Sequence, residues 1–171
     1  MLQLRDLPTP EVLSKFADRY PDADVTAISG FLYLLRVATD LSLALDTCLS
    51  KHDLLQGRWW VLILLMREES ATSTPSILAD KLGISRATMT GLLDGLEQNG
   101  LVSRVFAKED RRSVKIQLTK AGQAKLDVVM PDYYRRLKQC MQGLDEEKRV
   151  QLQQLLGIVD AGIPALIEPA D

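Results

Sequence analysis

Between Ser73 and Gly100 the chain is punctuated so regularly that few folds can follow from it. In "STPSILADKLG", residues 73–83, a hydroxyl side chain (Ser73 or Thr74) precedes Pro75, which suits the first helical position, and Gly83 supplies a stop. In "SRATMTGLLDGLEQNG", residues 85–100, Ser85 is the start signal and Gly100 the stop. Two alternating stretches follow, "LVSRVF" (101–106) and "SVKIQL" (113–118). Val114, Ile116 and Leu118 share one face of the second; Ser113, Lys115 and Gln117 share the other. The intervening "AKEDRR" is then a hairpin loop. Helix, glycine turn, helix and two-stranded hairpin is the order of a winged helix-turn-helix.

Helices are predicted on both sides of this lobe. Thr9, Pro10 and Glu11 open a short one running to about Tyr20. Asp22 or Asp24 caps a long one, in which Leu34, Val37, Leu41, Ala44, Leu45 and Cys48 recur at spacings of three and four. "QGRWWVLILLMRE" is apolar on nearly every side and hence buried. Thr119 caps a helix from Lys120 to about Gln142, with Pro131 expected to kink it. Asp145, Glu146 and Glu147 start the last, whose stripe is Leu152, Leu155, Leu156 and Val159. The expected fold is mainly α with a small β-hairpin wing: a winged helix-turn-helix plus long dimerisation helices from both termini. Its parts are 1–53 and 120–171 for pairing and 54–119 for the lobe, in one compact chain. The outer apolar stripes exceed what the lobe can cover, and two-fold pairing as a homodimer would bury them.

Composition narrows the function. Of the 171 residues, 46% are apolar and 26% charged, which fits a globular chain rather than a disordered one. The longest unbroken apolar run, "WWVLILLM", falls far short of the roughly 20 residues a bilayer requires, and the N-terminus lacks a signal pattern. A cytoplasmic protein without a membrane partner is expected. Cys48 and Cys140 have no CxxC spacing and read as buried thiols, with a cysteine-based redox response as the open alternative. His52 is the sole histidine and has no ligand-spaced neighbours, so neither metal nor cofactor is expected. With no nucleophile elbow and no phosphate-cradling glycine loop, the residues argue against an enzyme. The net charge is −2, yet residues 101–125 hold seven basic side chains against two acidic ones. A basic patch on an acidic body suits a polyanion at one face.

The second helix of the motif says which polyanion. Met89, Leu92, Leu93 and Leu96 anchor one side, leaving Ser85, Arg86, Ala87, Thr88 and Thr90 at the N-terminal end of the other. A recognition helix enters the major groove of double-stranded DNA by that end. Arg86 can donate two bonds to guanine, the threonine hydroxyls can reach base or phosphate, and Ala87 offers a methyl surface. In the hairpin, Arg112 is the candidate for insertion into the minor groove, where negative potential is enhanced. Asp110 has the wrong sign to face DNA and would hold an arginine fork in place. Arg104, Lys108, Arg111 and Lys115 are the candidate phosphate ligands. A winged helix contacting protein alone stays open at this point.

Residues 78–122, "LADKLGISRATMTGLLDGLEQNGLVSRVFAKEDRRSVKIQLTKAG", resemble the signature of the MarR (multiple antibiotic resistance regulator) family. The combination of "SRATMT", "LEQNGLV" and "EDRRS" ahead of "LTKAG" carries the likeness, and the first 20 or so residues extend beyond the family's common core. The resemblance implies a homodimeric repressor on a pseudo-palindromic operator, relieved by a small apolar or aromatic ligand. It places the wing aspartate and arginine on Asp110 and Arg112, and a ligand-cleft tryptophan on Trp59. Gly91 and Gly95 stand where many members carry arginine, so the wing is expected to supply more of the affinity.

Overall fold

The computed structural model describes residues 6–106 and 114–167. The chain divides into two compact units, Met1–Val129 and Met130–Asp171. The first contains α1 (Pro10–Arg19), α2 (Val25–Ser50), α3 (Gln56–Met66), β1 (Thr72–Ser73), α4 (Pro75–Leu82), α5 (Arg86–Gln98), β2 (Val102–Phe106), β3 (Val114–Leu118) and the start of α6 (Lys120–Cys140). The second contains the rest of α6, α7 (Glu146–Gly162) and a 3₁₀ turn, Ile163–Leu166.

Local chemistry fixes most boundaries. Asp24 Oδ1 accepts the N–H groups of Thr26 and Ala27, Thr74 Oγ1 that of Ile77, Ser85 Oγ that of Thr88, and Asp145 Oδ1 that of Lys148. Each occupies the position just ahead of its helix, where one such bond stabilises by about 1 kcal/mol. Asp24 and Thr74 are thus the caps rather than Asp22 and Ser73. Gly83 (φ 62°) and Gly100 (φ 69°) take the left-handed conformation that ends α4 and α5. Helix α3 is different, because the residue ahead of it, Leu55, offers no side-chain acceptor. Asp46 of α2 accepts the Gln56 N–H at 2.9 Å instead, and the Ser42 hydroxyl donates to Gln56 Oε1 at 2.8 Å. The long helix therefore caps the start of the buried one.

The core of the first unit forms around α3, whose Trp59 and Val61 to Leu65 are buried. Leu78 and Ala79 of α4, Met89, Leu93 and Leu96 of α5, and Ile116 and Leu118 of β3 join them. Fully burying one such leucine stabilises by about 1.5–3 kcal/mol. The sheet has three strands in the order β1-β3-β2, all antiparallel, where the sequence predicted two. Thr72 and Ser73 pair with Gln117 and Ile116, a contact too short to leave any alternation in the sequence. Val102 to Phe106 pair with Leu118 to Val114, as the alternation predicts.

A compact joint closes this sheet onto α6. The Thr119 hydroxyl donates to the Gly100 carbonyl at 2.7 Å, and its oxygen accepts the Gly122 N–H at 3.0 Å. The Thr119 N–H reaches the Leu101 carbonyl at 3.1 Å. Gly122 fits because a Cβ there would overlap the Leu101 carbonyl and stand 2.6 Å from Leu118 Cδ1.

The outer helices leave much apolar surface uncovered in the single chain. Leu41, within the predicted α2 stripe, is 51% exposed, and α7 has no buried residue at all. Among the described residues, α2 is the one helix long and apolar enough, by length and composition, to cross a membrane, with a mean hydropathy of 1.4. The unbroken-run criterion passes over it because Arg36, Asp40 and Asp46 interrupt its apolar residues. Arg36 and Asp40 pair at 2.6 Å on its surface. Pro131 lies inside α6.

Candidate nucleic-acid interface

Helix α5 is held by Met89, Leu93 and Leu96, and these three buried side chains decide what faces outward. Ser85, Arg86, Ala87, Thr88 and Thr90 are all exposed together around its first turns. Ser85 Oγ and Thr88 Oγ1 share a hydrogen bond at 2.9 Å, and the Thr90 hydroxyl donates to the Arg86 carbonyl at 2.9 Å. These bonds steady the hydroxyls while leaving oxygen lone pairs toward solvent. No atom stands within 4 Å of a Cβ built at Gly91, so the helix is open there to close approach.

One flank of α5 is clasped by β2. Arg104 Nη1 donates to Glu97 Oε2 at 2.5 Å, Nη2 to Asp94 Oδ1 at 2.6 Å, and the Arg104 backbone N–H to Glu97 Oε1 at 3.2 Å. The hydrogen bond it donates to Asp94, with the charges of both acids, raises the guanidinium pKa above its ordinary value against the effect of burial. Arg104, expected from sequence as a phosphate ligand, is thus engaged by two carboxylates. The trio carries a net charge of about −1, which disfavours a phosphate there. What it does in the structure is tie β2 to α5.

The other flank meets the first turn of α3. Gly57 packs against Leu92, and the Arg58 guanidinium lies across Gly95, where a Cβ would stand 2.7 Å from Cζ and 3.0 Å from Nε. Arg58 was missed by sequence reasoning. Its only signal was a cation directly ahead of the tryptophan pair that opens a buried run.

The remaining predicted residues fall as follows. Lys115 is exposed on β3. Lys108, Asp110, Arg111 and Arg112 lie outside the described residues. Trp59 is 1% exposed, its ring centroid 4.6 Å from that of Trp60, so it is a core side chain in this conformation. A cavity of about 300 Å³ lies elsewhere, between the N-terminal segment and α2, lined among others by Leu7, Pro8, Leu13, Leu32 and Tyr33. Both cysteines are free; Cys48 is half-buried, but Cys140 is exposed rather than buried, because its face of α6 is uncovered in the single chain. Among the described residues no group of three or more His, Cys, Asp or Glu side chains could hold a metal ion.

Comparison with known proteins places this arrangement. The MarR family model matches residues 56–114, from the start of α3 through both helices of the motif and β2 to the first residue of β3. The HTH-type transcriptional regulator PecS of Dickeya dadantii is 32% identical over 157 residues, covering 91% of this chain and 95% of PecS. The HTH-type transcriptional repressor YetL of Bacillus subtilis is 28% identical over 156 residues, covering 91% and 93%. The fold is shared with Sco3205, a MarR family transcriptional regulator from Streptomyces coelicolor solved in complex with DNA, at 21% identity and a TM-score of 0.68 over 94% of this chain and 92% of that one. AbsC, another MarR family regulator from Streptomyces coelicolor, gives a TM-score of 0.70 at 19% identity over 94% and 99%. With its glycine-punctuated helix pair, its sheet and a relative 32% identical over 91% of its length, the chain belongs to the MarR family of transcriptional regulators.

Proposed function

We propose that two copies of this cytoplasmic chain bind one pseudo-palindromic DNA operator as a repressor. The observation that carries the proposal is the orientation of α5. Burial of Met89, Leu93 and Leu96 turns Ser85, Arg86, Ala87, Thr88 and Thr90 outward at the helix end that enters a major groove. Arg86, Thr88 and Thr90 are assigned to base edges and phosphates, and Ala87 to a thymine methyl. Lys108, Arg111 and Lys115 are assigned to phosphates, and Arg112, held by Asp110, to the adjacent minor groove.

The apolar faces of α2 and α7 support pairing, since a second copy is the simplest cover for Leu155, Ile158 and their neighbours. Two recognition helices must then stand about one helical turn apart, roughly 34 Å. A small apolar or aromatic effector that favours a different separation relieves repression with a few kcal/mol of differential affinity. Selection of bound duplexes from a random pool is the direct test. A consensus of two inverted half-sites spaced by about 10 base pairs is expected. An asymmetric consensus or no enrichment overturns the proposal, as does a chain that sediments as a monomer.

A further inference from the structure

We propose that Arg58, from α3, is a phosphate-binding residue of the DNA surface, presented across Gly95 from outside the recognition helix. The inference rests on the DNA-binding reading above and adds to it a residue outside both the recognition helix and the wing.

Gly95 lies, at about 100° per residue, one step beyond Gly91 on the side of α5 away from Glu97. The two flanks of the helix therefore differ in kind. On one, Arg104 is consumed by Asp94 and Glu97. On the other, Arg58 is half-buried, and among the described residues no carboxylate or carbonyl accepts from its guanidinium. A major groove is about 12 Å wide and a helix with its side chains about 10–12 Å across. A helix seated in the groove thus brings its flanks against the phosphate ridges. The unneutralised flank is the one that attracts them.

Gly95 makes this possible. Any side chain there would displace the guanidinium, as the 2.7 Å approach of its Cζ to a Cβ shows. With only hydrogen at Cα, Gly95 leaves room for the planar group against the helix. A guanidinium fixed in advance loses less side-chain freedom on binding than one waving from an exposed turn. The same glycine that weakens α5 as a helix former thus admits a cation from the neighbouring helix.

The test uses the full chain and a duplex selected with it from a random pool. Arg58→Met keeps the aliphatic stem and removes the charge. In a dimer it should make the slope of log K against log[salt] shallower by about 1.8, two lost phosphates at about 0.9 each, with the thermal midpoint unchanged. Arg58→Lys should keep the wild-type slope. The exchange Arg58→Ala/Gly95→Arg moves the charge into the same space from the other helix and should restore the slope that Arg58→Ala loses. An unchanged slope in Arg58→Met overturns the inference, and so does an exchange variant that folds but stays as shallow as Arg58→Ala. If Arg58→Met does not fold, the exchange variant decides. Failure of the wild-type chain to bind any selected duplex would remove the DNA reading itself, a different result.

Discussion

Replacing Arg104 with methionine separates two roles that an arginine on a wing strand can have. Its side chain is 28% exposed, and its partners are 58% (Asp94) and 37% (Glu97) exposed, so solvent screens both pairs in part. Pairs of that kind contribute about 0.2–1 kcal/mol each. Their loss also leaves two carboxylates three residues apart on one helix face, a repulsion of about 0.2–0.5 kcal/mol. The expected destabilisation is thus about 0.6–2.5 kcal/mol, read from urea unfolding. A double-mutant cycle with Glu97→Gln should give a coupling energy of at least about 0.5 kcal/mol. On DNA, Arg104→Met should leave the salt slope as it is in wild type, because a guanidinium already held by two carboxylates releases no counterions from phosphate. Arg112→Ala, by contrast, should flatten the slope by about 1.8 in a dimer. If Arg104→Met flattens it as much, Arg104 is a phosphate ligand after all and the clasp is incidental.

Two more outcomes are expected. Leu93→Ala, at a site 1% exposed, should cost about 2–5 kcal/mol in urea unfolding; a loss below 1 kcal/mol would mean that α5 is not anchored as described. Glu68 lies 2.5 Å from Lys81, whose hydrogen bond and charge lower the carboxyl below its ordinary value of 4.5. The sign follows from that direction: the stabilisation is complete above pH 4.5 and disappears as pH falls through the lower folded-state value. Lys81→Met should therefore reduce the acid-induced drop in the urea midpoint below pH 4.5, and identical pH profiles would count against the pair.

What the sequence disclosed and what it hid divide along one physical line. Features made by residues close in the chain were legible: the caps Thr9, Ser85 and Asp145, the stops at Gly83 and Gly100, the alternation of β3. Features made by distant partners were not. Strand β1 exists because Thr72 and Ser73 meet Gln117 and Ile116, and two residues leave no period to read. The acceptor that starts α3, Asp46, is ten residues earlier on another helix, where no local signal points to it. Arg104 was counted as positive charge, but its carboxylates lie seven and ten residues away. Gly95 stood out only as a missing arginine, because the guanidinium that lies against it comes from α3. Exposed residues such as Arg86 and Thr88 needed no distant partner, so periodicity alone put them on the correct face.

Thr119 ties three things with one side chain: the end of α5 through Gly100, the turn into the sheet at Leu101, and the first turn of α6 through Gly122. Such a knot works as a welded elbow, without the play of a hinge. A rotation imposed on the start of α6 must either tear several short bonds from a tightly filled corner or swing α5 with it, and the second is cheaper. Torque applied to the start of α6 is thereby delivered to α5 with little slack.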